Sequence, residues 1–504
     1  MTDGSPLGIE TGGIARSSAE PASGGLVSPL IRQLCQQLES REIRYCHWKS
    51  NWRAQRWAGG EGDLDLLVGR SDWLRFTALL SELGFRQVVS PGALVPGIQH
   101  YYGLDVATDQ FVHVHAHSQL VVGHDLSKNF HVPLEEAFVA SARPHGLLCL
   151  PAPELELILY VVRMVLKYSA VELWSRKGGL SASVYQEYLW LAERADPDQV
   201  LRLLDRHLPG VGPELFRECV DSLHPRCSNW ARLAIRQRLI RRLQAHARQP
   251  LLLDSLVRFG RRLQKLARNR LPRRGTRKLL SNGGAMVALL GGDGAGKTSA
   301  ADGLHRWISK TVATRRIHLG KPPRSLSTQV VALLARGTRL LNERKPAAPA
   351  DTGGLGAGDY LQMLRYVCVA RDRVRLYTEA RRFATAGGLV ICDRFPCPQI
   401  KQMDGPKIAR FLNGRAGGRL AGWLADRERS YYARMLAPEV VIALTVDPET
   451  AVARKPQEDP EQVRSRSREF RSIDWEGLGV PRIDTSRSAE EVLTELKGLL
   501  WARI

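Results

Sequence analysis

The stretch that decides the fold of the C-terminal half of the chain is GGDGAGKT, residues 291–298, which directly follows the apolar run MVALL at 286–290. It matches the phosphate-loop pattern GxxxxGKT, placed between an expected strand and an expected helix. Glycines let successive backbone N–H groups turn toward a phosphate, and the helix N-terminus adds its positive dipole end. The pattern predicts an ATP-binding phosphate loop formed by Gly291, Gly292, Asp293, Gly294, Ala295, Gly296, Lys297 and Thr298.

Two side chains of this loop and two beyond it have chemistry suited to a magnesium–triphosphate complex. Lys297 is expected to bridge β- and γ-phosphate oxygens, and the Thr298 hydroxyl is a magnesium ligand. The apolar run LVIC at 389–392 ends in Asp393 and Arg394, where a parallel strand would open onto the same crevice. We expect Asp393 to hold the magnesium side and Arg394 to bind a phosphate, with a surface salt bridge as the alternative for Arg394.

The surrounding chain alternates between strand and helix patterns from residue 283 onward. Apolar runs at 286–290, 317–319, 389–392, 440–446 and 482–483 are the candidate strands. This alternation predicts an α/β fold with a parallel sheet flanked by helices. The last helix is expected to begin with a capping box formed by Ser488 and Glu491.

Arginines are frequent after the strand predicted at 440–446. Phosphoryl transfer requires cations around three oxygens and the exclusion of water. The cluster therefore predicts a mobile basic lid, with a solvated basic helix as the alternative. The expected lid residues are Arg454, Arg464 and Arg466.

The N-terminal half has a different pattern, with short strands predicted at 43–46, 63–68 and 111–115 and helices through 153–223. Asp63 and Asp65 lie on one face of their strand, an arrangement suited to holding metal ions. His113, His115 and His117 also share one strand face, and the pattern leaves metal binding and a structural role open.

The net charge of +22 is concentrated in one segment, since residues 231–280 hold sixteen Lys or Arg against the single Asp254. Within it Leu256, Phe259, Leu263 and Leu266 recur at helical spacing and form one apolar stripe. A solvated connector helix is one interpretation. A contact with an anionic membrane surface or a polyanion is the other.

The expected organisation is therefore a disordered tail at 1–28, an α/β domain with a helical extension at 29–225, a basic helical connector at 226–282 and the phosphate-loop domain at 283–504. The pattern contains no signal peptide and no transmembrane helix, and the scattered cysteines fit a reducing compartment. A cytoplasmic protein is expected.

Three motifs in order give the C-terminal domain a specific resemblance: GGDGAGKT, ARDR at 370–373 and DRF at 393–395. Together they resemble the thymidylate kinase family. The resemblance implies that Mg²⁺ and ATP bind at the loop, that Lys297, Asp293, Asp393 and Arg394 are catalytic, and that lid arginines stabilise the transferred group. It also implies that Arg371, Arg373 and Arg394 contact the acceptor phosphate.

The acceptor is not specified by this resemblance, because HLGKPP at 318–323 and PCPQIKQMDGP at 396–406 stand where the family has its acceptor-binding segments. We expect a γ-phosphoryl transfer to a nucleoside monophosphate or a related phosphorylated acceptor. A hydroxyl acceptor, with Asp393 or Asp293 as general base, stays open.

The N-terminal domain resembles the nucleotidyltransferase superfamily through GEGDLDLLV at 60–68, with Lys49 and Ser50 where that superfamily has a Gly-Ser turn. The resemblance implies a second metal site at Asp63 and Asp65. The fusion is similar to thymidylate-kinase-like proteins linked to surface-polysaccharide gene sets. Nucleotidyl transfer in that metabolism and a non-catalytic ATP-binding scaffold are the alternative functions.

Overall fold

The computed structural model describes residues 27–53, 57–60, 62–91, 95–175, 182–270, 278–343, 355–397, 400, 405–413 and 417–504. The chain divides into two compact units, Met1–Thr276 and Arg277–Ile504. The predicted tail, apart from Val27 and Ser28, lies outside the described residues, as do residues 271–277 of the predicted connector.

The first unit combines a mixed sheet with a large set of helices. In chain order its elements are α1 (Pro29–Ser40), β1 (Tyr45–His47), β2 (Asp63–Val68), α2 (Trp73–Glu82), β3 (Arg86–Val89), β4 (Ile98–Asp105), β5 (Gln110–His117), β6 (Val121–Val122), β7 (Phe130–His131), α3 (Glu135–Ser141), β8 (Arg143–His145), β9 (Leu148–Leu150), α4 (Pro153–Lys167), α5 (Ala170–Ser175), α6 (Ala182–Ala192), α7 (Pro197–His207), α8 (Gly212–Leu223), α9 (Asn229–Arg242) and α10 (Leu251–Arg270).

The sheet of this unit has the strand order β1-β2-β5-β4-β3. β2 and β5 are parallel, and the other neighbouring pairs are antiparallel. The sequence pattern did not indicate β4, which pairs with β5 along its whole length from Ile98 to Asp105. The β2–β5 register aligns Asp63 with His113 and Asp65 with His115. The acidic and imidazole side chains are therefore neighbours across the two strands.

The helical part of the first unit is built around α4, in which both polar and apolar residues are buried. An apolar helix of this kind is typical of the centre of a bundle. Pro153 starts it at a position where a missing N–H is tolerated. Its core includes Leu215 and Phe216 of α8 and Leu239 of α9. The helices from α4 to α9 therefore share one hydrophobic core.

The segment predicted as a basic connector contains two helices with different environments. In α9 the side chains of Leu239 and Ile240 are buried in the core of the first unit. In α10 the apolar stripe is exposed to solvent: Leu256 is 68% exposed and Phe259 is 62% exposed. A contact of this stripe with an anionic surface stays a prediction. Among the described residues, no helix has both the length and the apolar character needed to cross a bilayer.

The second unit is an open parallel sheet with helices around it. Its elements are β10 (Leu279–Leu280), β11 (Ala285–Gly291), α11 (Lys297–Ile308), β12 (Thr314–His318), α12 (Leu326–Glu343), α13 (Ala357–Thr385), β13 (Leu389–Asp393), α14 (Ile408–Leu412), α15 (Arg419–Tyr432), β14 (Val440–Thr445), α16 (Pro448–Ala453), α17 (Pro460–Ser472), β15 (Arg482–Asp484) and α18 (Ala489–Arg503).

The strands of the main sheet follow the order β12-β13-β11-β14-β15, and every pairing is parallel. All residues of the central strand β11 are buried, as expected for a strand covered on both faces. Met286 and Ala288 pack with Tyr377 and Ala380 of α13. The predicted α/β class, with a parallel sheet flanked by helices and an N-terminal α/β region, is confirmed. The capping box of α18 is also present.

Candidate functional site

The phosphate loop lies at the carboxyl end of the central strand. β11 ends at Gly291 between its parallel neighbours β13 and β14, and α11 begins at Lys297. Gly294 and Gly296 have φ values of +76° and +69°, which glycine adopts without strain. A Cβ at Gly294 would lie 2.7 Å from the carbonyl oxygen of Ala451. The glycines therefore let the backbone turn within a closely packed edge.

Lys297 lies along the loop, and only 7% of it is exposed. Its Nζ donates to the carbonyl oxygens of Gly291 at 2.9 Å and Gly292 at 2.6 Å. These two acceptors are neutral, so they orient the ammonium without neutralising its charge. The side chain is held in the concavity where a phosphate would lie against the backbone N–H groups.

Thr298 and Asp393 meet because β11 and β13 are adjacent and in register. The Thr298 hydroxyl donates to Asp393 Oδ2 at 2.8 Å. Asp393 is only 1% exposed, and its other oxygen, Oδ1, is buried without a hydrogen-bond partner among the described residues. A buried carboxylate oxygen of this kind is costly unless a cation or water satisfies it. Thr298 and Asp393 thus form an oxygen donor set that fits magnesium and its water shell.

Asp293 joins the loop to two arginines. Arg466 Nη1 lies 2.6 Å from Asp293 Oδ2, and Arg394 Nη2 lies 3.7 Å from Oδ1. Burial disfavours the charged carboxylate, but the hydrogen bond from Arg466 and the charges of Lys297, Arg466 and Arg394 outweigh it and lower the pKa of Asp293. Arg394 has φ of +66°, an uncommon conformation for a non-glycine residue that often marks a functional position. Asp293 thus gathers cations over the loop.

The predicted lid residues occupy three different environments. Arg466 lies on α17, which is anchored by the buried side chains of Val463, Ser467 and Phe470. From this helix Arg466 reaches the phosphate loop, where it pairs with Asp293.

The other two lid arginines make contacts of different kinds. Arg454 donates to the carbonyl oxygens of Gly294 at 3.4 Å and Thr485 at 2.9 Å, so it links the loop to the chain after β15. Arg464 instead pairs with Glu449 at 2.9 Å and Glu461 at 2.7 Å. Of the three, Arg464 has its charge balanced by carboxylates outside the phosphate loop.

Two of the three predicted acceptor arginines, Arg371 and Arg373, lie on α13, and the third, Arg394, follows β13. Arg373 is 2% exposed, and its Nε donates to the Leu319 carbonyl oxygen at 2.6 Å while Nη2 donates to that of Gly320 at 3.4 Å. It also contacts the Tyr432 hydroxyl. Arg373 therefore fixes the backbone that follows β12. Arg371 donates to the hydroxyls of Ser325 at 2.6 Å and Ser327 at 2.7 Å.

Sequence reasoning missed Asp372, which lies between these arginines and is buried. It accepts from the Ser325 backbone N–H at 2.9 Å and from the Thr328 hydroxyl at 2.5 Å. An acidic residue that accepts from the first turn of a helix stabilises its start, here that of α12. The acidic residue inside ARDR and the hydroxyl residues of SLST at 325–328 were the available signal. The motif thus positions the start of α12 and the backbone that follows β12.

In the first unit the two predicted metal-binding carboxylates have different surroundings. The Asp63 side chain is 55% exposed and pairs with His113 Nδ1 at 2.6 Å. Asp65 is buried, and its Oδ1 accepts from Lys49 Nζ at 2.8 Å and from His115 Nδ1 at 2.9 Å. Burial opposes ionisation of Asp65, but the charge of Lys49 and the hydrogen bond from His115 hold its pKa well below the usual range. A side-chain cation therefore already lies on this carboxylate.

His117 completes a compact group with Asp65 and His115. Its Nε2 lies 3.8 Å from Asp65 Oδ1, and its ring packs edge-on against Trp48. Burial lowers the pKa of His115 to about 3 and that of His117 to about 4, so both rings are neutral near pH 7. The structure places the third predicted histidine, His113, on Asp63 instead.

A buried carboxyl group in α4 was not recognised from the sequence. Glu156 accepts from Asn51 Nδ2 at 2.9 Å, and Asn51 also contacts His47. Burial raises the pKa of Glu156 to about 8. The available sequence signal was a glutamate within a largely apolar helix.

Comparison with known proteins finds relatives of this chain but no matching family model. The chain is 29% identical over 217 residues to the uncharacterized ATP-binding protein YghR of Escherichia coli (strain K12), covering 42% of this chain and 84% of YghR. It is 24% identical over 224 residues to the uncharacterized ATP-binding protein YghS of the same strain, covering 41% of this chain and 89% of YghS. The similarity spans most of these relatives but less than half of this chain.

Proposed function

We propose that the chain binds ATP with magnesium at the phosphate loop of the second unit and transfers the γ-phosphoryl group to a phosphorylated acceptor of the nucleoside monophosphate type. The observation that carries the proposal is the Thr298–Asp393 pair beside Lys297, with one buried Asp393 oxygen that has no hydrogen-bond partner among the residues the structure describes. The names of YghR and YghS, which describe ATP-binding proteins, support the nucleotide part.

In this proposal each residue around the loop has a distinct role. Bound magnesium would neutralise charge on the β- and γ-phosphates, and Thr298 and Asp393 are the residues that would hold it. Lys297 and the N-terminus of α11 orient the phosphates by charge and by backbone N–H groups. Arg466 and Arg394, which Asp293 holds over the loop, would supply positive charge beside the negatively charged oxygens of the transferred group in the transition state.

The acceptor is best supported as a phosphate. A hydroxyl acceptor benefits from a general base, whereas a phosphate acceptor is already ionised. Asp393 is hydrogen-bonded to Thr298, and Asp293 is paired with Arg466. Each of these two carboxylates therefore already accepts a hydrogen bond from a neighbouring side chain, which favours an electrostatic role over that of a general base. Through its hydrogen bonds to Leu319 and Gly320, Arg373 would shape the segment after β12, where the acceptor would bind. Arg371 and Arg394 would bind the phosphate of the acceptor.

The alternative of nucleotidyl transfer at Asp63 and Asp65 has less support from the geometry. Two-metal chemistry uses carboxylates that share metal ions. Here Asp65 carries the Lys49 ammonium, and Asp63 is paired with His113 near the surface. The other alternative, a non-catalytic ATP-binding scaffold, stays open. Such a protein would bind ATP but would transfer its phosphoryl group to no acceptor.

The experiment that tests the proposal incubates the full chain with γ-labelled ATP and separate acceptors: ribonucleoside and deoxyribonucleoside monophosphates, sugar phosphates, and the matching unphosphorylated nucleosides and sugars. The expected result is label on at least one phosphorylated acceptor, dependent on magnesium. Label only on an unphosphorylated compound would refute the acceptor class. ATP binding without transfer to any of these compounds would favour the scaffold.

A further inference from the structure

We propose that Asp65, His115 and His117 of the first unit bind one first-row transition metal ion, with Zn²⁺ as the representative ligand. These three residues are called the Asp65–His115–His117 cluster. The proposal concerns the first unit alone and does not depend on phosphoryl transfer by the second.

The geometry of the cluster is that of a chelating site. One donor atom from each residue lies within 4.8 Å of the donor atoms of the other two, and all three residues are buried. The separation of Asp65 Oδ1 from His115 Nδ1 is 2.9 Å and from His117 Nε2 is 3.8 Å. Zinc binds imidazole nitrogen and carboxylate oxygen at about 2.0–2.2 Å, so donor atoms this close need only small side-chain adjustments to share one ion.

The unsatisfied nitrogen atoms are the second and independent observation. His117 is 1% exposed, yet neither of its ring nitrogens has a hydrogen-bond partner among the described residues. His115 Nε2 is likewise buried without one. A buried polar atom left without a partner costs about 1–3 kcal/mol, so native proteins rarely retain several together without a ligand, ion or water. A metal bound through His117 would remove part of this penalty.

The donor set selects the class of ion. Imidazole nitrogen suits zinc, cobalt, nickel and copper, whereas magnesium prefers oxygen and keeps its waters. This site therefore differs from the two-carboxylate arrangement expected at Asp63 and Asp65, since Asp63 is paired with His113 and does not belong to the cluster. Three protein ligands would leave one tetrahedral position for water or another ligand.

Lys49 is the residue that competes with the ion. Its Nζ lies 2.8 Å from Asp65 Oδ1, the oxygen that the two histidines also face. An ammonium and a divalent ion cannot share this oxygen at low cost, because like charges at such distances repel strongly. The Lys49 side chain is 19% exposed, so it has a route to swing toward solvent when the metal binds.

The experiment uses untagged, full-length, metal-free protein without nucleotide, titrated with Zn²⁺ for the thermal midpoint and with Co²⁺ for visible d–d absorption. The test variant is His117→Phe, and the matched control is His113→Phe, the same change four residues away on β5. Because the ring nitrogens of His117 make no hydrogen bond within the part of the chain that the structure describes, His117→Phe should fold with a metal-free thermal midpoint close to that of the parent. A third variant, Lys49→Met, removes the competing cation.

The expected result is one ion per chain with nitrogen-ligated Co²⁺ bands in the parent and in His113→Phe. His117→Phe should lose the bands and the thermal response, and Lys49→Met should bind Co²⁺ at least about tenfold more tightly. Binding that survives in His117→Phe, no binding by the parent, or weaker binding by Lys49→Met would each overturn the proposal. The last outcome would instead identify Lys49 as a metal-independent partner of Asp65.

Discussion

Each unit contains a lysine at its candidate site and a buried aspartate on a strand of its sheet, but the lysine has different partners in the two units. In the second unit Lys297 rests on the carbonyl oxygens of Gly291 and Gly292, while Asp393 binds the Thr298 hydroxyl. In the first unit Lys49 lies directly on Asp65. One arrangement keeps the lysine charge available for an anion, and the other uses it to neutralise a carboxylate.

The difference teaches that residue type does not decide the use of a charged site. A lysine supported by neutral acceptors keeps its full attraction for phosphate. A lysine paired with a buried carboxylate stabilises that carboxylate and loses attraction for other anions. The arrangement in the second unit suits the triphosphate that we propose for it, whereas the first unit pairs the two charges with each other.

The largest expected effect is that of Lys297→Ala. We expect phosphoryl transfer to fall by about 10³-fold, because a preorganised cation at the transferred group is removed from a buried site. Label transfer from ATP measures the effect. Lys310→Ala, which removes an exposed lysine just beyond α11, should retain the parent rate. Equal losses in both variants would show that the local charge, and not the loop geometry, matters.

A smaller loss is expected from Arg466→Ala, for which Arg464→Ala is the matched control on the same helix. Arg466 contacts Asp293 of the loop, whereas Arg464 is balanced by Glu449 and Glu461. Removing Arg466 should lower kcat by about 10²-fold, within the range of single transition-state donors. Steady-state kinetics of Arg464→Ala should stay within about twofold of the parent. The reverse ranking would mean that α17 rearranges when nucleotide binds.

The third test concerns stability in the first unit. Lys49→Met leaves the buried Asp65 carboxylate without its ammonium, and in metal-free protein we expect a loss of about 2 kcal/mol in the free energy of unfolding, below the 3–5 kcal/mol of fully buried pairs. The double variant Lys49→Met/Asp65→Asn should recover part of this loss. Urea denaturation provides the measurement. An unchanged midpoint in the single variant would show that the ion pair contributes nothing.

The smallest effect is a pH dependence from Glu156, whose pKa is raised by burial from 4.5 to about 8. Between these values the unfolded chain has lost a proton that the folded chain retains, so stability falls as pH rises from about 4.5 to 8. The contribution is at most about 1.4 kcal/mol per pH unit.

Glu156→Gln should remove this slope, so that its thermal midpoint exceeds that of the parent more at pH 8 than at pH 6. Glu193→Gln, an exposed change beyond α6, serves as the control. Parallel pH profiles for the parent and Glu156→Gln would argue that Glu156 is ionised in the folded chain.

Much of the second unit follows from local pattern. The loop, the strand before it and the helix after it depend on glycine conformation and short-range periodicity, so GGDGAGKT was sufficient to predict their order. The partnership of Asp393 with Thr298 was also predictable, since both residues end parallel strands or begin helices at one sheet edge. Arg464 shows the limit, because its ion pairs with Glu449 and Glu461 depend on how α16 and α17 pack.

In the first unit the sequence indicated which residues share a strand face but not which partners they meet. Period two placed Asp63 with Asp65, and His113 with His115 and His117. Pairing across strands depends on the register of β2 with β5, which joins Asp63 to His113 and Asp65 to His115. β4, which covers the other side of β5, has a mixed composition that gave no strand signal.

The sequence by itself determined the phosphate loop, the parallel α/β class and the identity of the charged residues, because these depend on backbone freedom and short-range spacing. Only the tertiary structure decided that Lys297 donates to neutral carbonyl oxygens while Lys49 pairs with Asp65, and that the His117 nitrogens are buried with no hydrogen-bond partner in the described ranges. The physical reason is that burial and charge pairing depend on residues distant in the chain, which set the electrostatic energy of each group once the fold brings them together.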